Sequence, residues 1–76
     1  FTIGGIYYLK NKYRTAISFF DRALETGDSD VEVLLMKAYS HQKLQENPIA
    51  LDCCKKIQNL DPKNKPASNL LSEINS

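Results

Sequence analysis

Apolar residues recur at intervals of three and four along most of this chain, and no stretch alternates with period two. The pattern predicts helices throughout and no strands. The opening run "FTIGGIYYL" ends where Asn11 and Lys12 break the apolar pattern. A second helix is expected from Tyr13 to Thr26, with Ala16, Phe20, Ala23 and Leu24 as its stripe; Gly27 supplies the left-handed residue that commonly closes a helix. Ser29 and Glu32 stand three apart before the next apolar run, the spacing of a capping box, so a third helix is expected over 30–45 with the stripe Val31, Leu34, Leu35 and Ala38. Asn47 as cap and Pro48 in the first turn open a fourth, ending near Leu60 before "DPKN". A fifth begins at Lys65 with Pro66 in its first turn. Its stripe is Ala67, Leu70, Leu71 and Ile74, and its other face (Ser68, Asn69, Ser72, Glu73, Asn75) is polar.

The second and fourth helices say nearly the same thing. "YRTAISFFDRAL" at 13–24 lies over "NPIALDCCKKIQ" at 47–58, so that Ala16 falls on Ala50, Ile17 on Leu51, Phe20 on Cys54 and Ala23 on Ile57, each pair 34 residues apart. The register extends outward: Gly4 meets Ala38, Tyr7 meets His41, Tyr13 meets Asn47 and Asp28 meets Pro62. Self-similarity at a fixed period marks a unit that buries one face only against a copy of itself.

On these residues the chain resembles the tetratricopeptide repeat family. Ile3, Gly4 and Tyr7 match the family's first-helix pattern, Ala16, Phe20 and Ala23 its second, and the second unit keeps Ala38, Ala50 and the closing Pro62. It departs at Lys37, His41, Cys54 and Ile57, and Leu34 stands at the position of the family's opening Trp. The resemblance implies an all-α solenoid fragment of helix-turn-helix repeats: two antiparallel hairpins, residues 1–30 and 31–64, and a capping helix at 65–76 that equally suits the start of a third unit. The polar outer face of that last helix fits a C-terminal cap, and the start at Phe1 without Met reads as part of a longer protein. Independently of the family, Gly4 and Gly5 inside a helix cost stability relative to Ala, so close packing of paired helices is expected there, with Ala16 facing Gly4.

Length and charge narrow the function. A chain of 76 residues makes one domain with a small core. Ten basic residues against nine acidic, spread along the chain, leave no electrostatic footprint for nucleic acid or for a membrane surface. No apolar run approaches the ~18 residues of a membrane span, and the opening segment lacks the basic start of a signal peptide. Cys53 and Cys54 are adjacent, which disfavours a disulfide between them, and two thiols without a framework suggest a reducing, intracellular setting, cytoplasmic or nuclear.

Chemistry is sparse. His41 is the only histidine, so no histidine-based catalytic pair exists, and an exposed or half-buried structural role is expected for it. With Cys53 and Cys54 it makes three ligands, one short of a structural zinc site. Cys54 takes the place of Phe20 and should be buried, whereas Cys53, one position round the helix, is expected to be exposed. Neither an enzyme nor a cofactor site is expected.

In the family, first helices line a concave groove. By resemblance its residues here are Phe1, Thr2, Gly5, Tyr8 and Leu9 from the first unit and Glu32, Leu35, Met36, Tyr39, Gln42 and Lys43 from the second. Leu35, Met36 and Tyr39 lie off the stripe that faces their own hairpin. This mainly apolar inventory suits a partner peptide or an amphipathic helix, with Phe1, Tyr8, Leu9, Leu35, Met36, Tyr39, Gln42 and Lys43 as the expected contacts. The alternative is a structural end-piece or self-association element whose apolar residues are covered by neighbouring repeats. The family's chaperone-tail clamp is not expected. Its positions fall on Phe1, Gly5, Met36, Pro66 and Leu70, or in the shifted register on Thr2, Glu32 and Met36, which lack the cations and amides a carboxylate needs. An RNA-reading repeat would want a basic, polar groove instead.

Overall fold

The computed structural model describes residues 3–27 and 31–75. Five helices follow in order: α1 (Ile3–Leu9), α2 (Tyr13–Glu25), α3 (Val31–Lys43), α4 (Asn47–Leu60) and α5 (Lys65–Asn75). No strand occurs among the described residues. Each helix packs on the next, and α5 folds back to touch α3 as well, so α3 has α2, α4 and α5 as neighbours.

The expected boundaries hold to within two residues, and the differences are local. α3 stops at Lys43 rather than Gln45 because Gln45 is in the left-handed region, φ 61°. Glu46, not Asn47, is the residue flanking α4; Asn47 is already helical and no side chain caps this end, while Pro48 sits in the first turn as expected. Gly27 has φ 87° and closes α2. Asn64 caps α5, its Oδ1 accepting the Ala67 N–H at 2.9 Å. Ser29 of the expected capping box lies outside the described residues.

The 34-residue period is present in the backbone itself. Asn11 and Gln45, 34 apart, are the two non-glycine residues with positive φ among the described residues, at 63° and 61°. The residues after them, Lys12 and Glu46, have φ, ψ of −97°, 70° and −95°, 62°. Hydrogen bonds repeat with them: Lys12 N–H to Tyr7 O at 2.9 Å answers Glu46 N–H to His41 O at 2.8 Å, and Ala16 N–H to Lys12 O at 2.9 Å answers Ala50 N–H to Glu46 O at 3.1 Å.

Three clusters make the core. Ala16, Phe20 and Val33 join α2 to α3; Leu34, Ile57 and Ala67 join α3, α4 and α5; Ala38, Cys53, Cys54 and Leu70 complete the α3–α4–α5 contact. α1 closes on α2 through Gly4, where an added Cβ would come within 2.6 Å of Phe20 Cε1 and 3.2 Å of Phe19 Cβ. The close approach is as expected, but its partner is Phe20 rather than Ala16. The α5 stripe is covered, with Ala67 and Leu70 buried and Leu71 and Ile74 packed against the cysteine cluster, while its polar face is exposed.

Cys54 is buried, as its alignment with Phe20 implies. Cys53 is buried too, at 3% exposure, against the expectation that it faces solvent. The reason is cover from two helices: Ala38 of α3 and Leu70 of α5 share a cluster with both cysteines. Burial pushes both thiols above their ordinary pKa.

Candidate partner-binding face

The expected contacts do not form one open strip. Phe1 and Thr2 lie outside the described residues, and Gly5 is buried. Tyr8 of α1 and Met36 of α3 are half-buried and pack against the same Ala16–Phe20–Val33 cluster. Tyr8 also meets Tyr13 edge-on at 5.5 Å. Burial raises the Tyr8 pKa, and the phenols of Tyr13 and Tyr39 add to it. Tyr39 itself packs on the cluster holding Leu70, and Leu35 on the one holding Ala67, both residues of α5. Their apolar character is therefore partly used within the chain.

At the far end of α3, Gln42 donates to Glu73 of α5 at 3.3 Å, and Lys43 is exposed. Leu9 is 65% exposed on α1, with Ile3 and Ile6 of the same helix also open at 59% and 46%. The accessible part of the face is thus Leu9, the edges of Tyr8, Met36 and Tyr39, and Lys43.

Beside it stands a polar connection that the sequence reading did not find. Glu46 accepts from His41 Nδ1 at 2.9 Å through one oxygen and from Arg14 of α2 at 2.5 Å through the other. The His41 bond, and after it Arg14, holds the Glu46 carboxyl below the usual carboxylate range. The ring of His41 is buried, against the expected exposed or half-buried place, and its Nε2 has no hydrogen-bond partner among the described residues. In the 34-residue register the pair occupies the positions of Tyr7 and Lys12. Two titratable groups appearing together where the first unit has a phenol and an amine was the available signal.

Among the described residues no group of His, Cys, Asp or Glu could hold a metal ion, and no helix is long and apolar enough to cross a membrane. A shallow cleft of about 360 Å³ opens elsewhere, between the ends of α2 and α4, lined by Leu24, Leu34, Lys56, Asn59 and Leu60. Comparison with protein-family models, with curated proteins and with solved structures finds no match to this chain.

Proposed function

We propose that this chain is a protein-interaction module built of two tetratricopeptide-like units, 1–30 and 31–64, with 65–76 covering the end, and that it binds an apolar segment of an intracellular partner protein across α1 and α3. The observation that carries the reading is the edge-on pair of Tyr8 and Tyr13, with half-buried Met36 packed on the same cluster as Tyr8. Half-buried rings with polar tips, next to a flexible thioether, form a surface that adapts to an apolar side chain and still offers hydroxyls to a peptide backbone. The 34-residue recurrence of backbone angles and hydrogen bonds supports the repeat assignment. No catalytic or cofactor role belongs to this proposal.

A second reading has its own support. Leu35 and Tyr39 lean on α5, which suits a structural end-piece whose apolar residues are used internally. Capture from lysate by the full-length protein separates the two, comparing wild type with Leu9→Asp and with Ile49→Asp, a control on α4 where Ile49 is 43% exposed. Both variants should retain wild-type circular dichroism. The module reading expects a specific partner, then confirmed by titration with the purified protein, that is lost with Leu9→Asp and kept with Ile49→Asp. Equal capture by all three proteins, or none, leaves the end-piece reading standing.

A further inference from the structure

The fold brings Lys43 to the end of the molecule where Lys10, Lys12 and Arg14 follow closely in sequence. The turn between α1 and α2 and the turn between α3 and α4 lie at one end of the molecule, tied together by the Arg14–Glu46 contact. Lys10, Lys12, Arg14 and Lys43 stand at this end, all exposed. Among the described residues, two carboxylates at this end are engaged: Glu46 with Arg14 and His41, and Glu73 with Gln42. Positive charge is left over beside Leu9 and the tyrosines.

Local electrostatics explains part of this. Lys10 and Lys43 sit at helix C-terminal ends, where the helix dipole favours a cation. Lys12 does not: it flanks the N-terminus of α2, where a cation is disfavoured, and α2 has no acidic residue in its first turn to offset it. Its counterpart in the second unit is the acid Glu46, the favourable choice. Lys12 makes no ion pair or side-chain hydrogen bond among the described residues.

We infer that Lys10, Lys12 and Lys43 receive the acidic flank of a partner polypeptide whose apolar side chains rest on Leu9, Tyr8 and Tyr39. The inference rests on the binding face proposed above and commits it to an acidic ligand. Charge complementarity at an exposed rim steers encounter and sets register more than it adds affinity, so the preference is salt-sensitive.

The test uses three sets of labelled 14-residue peptides, alike in randomised Leu, Phe, Met and Ala positions and ending in three Glu, three Gln or three Lys. Binding is read by fluorescence anisotropy against wild type, Lys12→Glu and the double variant Lys12→Glu, Lys43→Glu. The Glu set should bind wild type about tenfold more tightly than the Gln set at low salt, the sum of three exposed charge pairs, and the gap should close at high salt. Lys12→Glu should melt no lower than wild type, because an acid suits that helix end, yet lose much of the preference; the double variant should favour the Lys set. Equal binding of the three sets would overturn the inference and leave the apolar face standing. Binding by none of them would overturn both.

Discussion

The turn at Asn11–Lys12 and the turn at Gln45–Glu46 follow the same backbone, with matching angles and matching hydrogen bonds, yet their side chains have parted company. Around the first, Tyr7 stacks on Phe19 at 5.4 Å with the rings 5° from parallel, and Phe20 fills the space against Gly4. Around the second, the counterparts of those three aromatics are His41, Cys53 and Cys54, and an ion-paired carboxylate does the fastening. The first unit is held by ring packing, the second by smaller groups, a buried polar contact and the added cover of α5. Backbone geometry of a repeat thus tolerates exchange of its adhesive, provided the volume lost on one helix is returned by another.

The largest expected effect tests the ring-packed unit. Phe20 is 3% exposed, and Phe20→Ala should cost about 3–5 kcal/mol by leaving a cavity that α1 cannot fill. The equivalent change in the second unit, Cys54→Ala, removes a single buried sulfur and should cost about 1 kcal/mol. Urea melts of both variants measure the difference. Similar losses would mean that the two units share their packing more evenly than the clusters indicate.

Next comes the close approach of α1 and α2. Gly4→Leu should destabilise by about 1–3 kcal/mol, since the new side chain meets the ring of Phe20 and the Cβ of Phe19 in a site with little room to yield. A thermal melt at or above the wild-type temperature would remove Gly4 from the helix contact.

These two sites also show how far the sequence could be followed. Helix number, type and extent were legible because each stripe has the helical period, and the pairing Gly4–Ala38 and Phe20–Cys54 came from the repeat alone. Gly4 was seen as a close-packing position, but which residue fills the gap depends on how α1 crosses α2, which periodicity does not encode. Cys53 was misplaced for a similar reason: it shares a cluster with Ala38 of α3 and Leu70 of α5, and the α5 contact comes from chain reversal at Asp61–Asn64 rather than from α4's own pattern. The expected binding face fared least well. Its residues were assigned by position in a repeat, whereas Leu35 and Tyr39 are partly taken up by α5, and the Arg14–Glu46–His41 connection joins positions that no single helix stripe brings together.

That connection predicts a pH signature at the turn between α3 and α4. The Glu46 carboxyl is held below its ordinary range on folding, so it stabilises the native state above that range, and the contribution fades as pH falls through the lower, folded value. Wild type should therefore melt above Glu46→Gln at neutral pH, and the two should converge in acid. A gap that stays constant down to the acid limit would assign the effect of the substitution to lost shape rather than lost charge.

The smallest effect bears most directly on the equivalence of the turns. Both centres are left-handed, which costs most residues about 1–2 kcal/mol and costs Asn less. Asn11 has a second reason to be there, since its Oδ1 accepts the Tyr13 hydroxyl at 2.9 Å. Gln45 is exposed, its side chain has no such bond among the described residues, and its residue type has no affinity for this conformation. Replacing it by glycine relieves the strain but returns about 0.5–1 kcal/mol to the unfolded chain as freedom. Gln45→Gly should accordingly gain roughly 0.5 kcal/mol, a rise of about 2–4 °C in melting temperature for a domain of this size. Asn11→Gly should gain nothing and lose the Tyr13 bond, ending at or below wild type. If instead Asn11→Gly proved the more stabilising, the strain in the two turns would not be shared as their matching angles require, and the second turn would have to be held by its side chains rather than by the repeat.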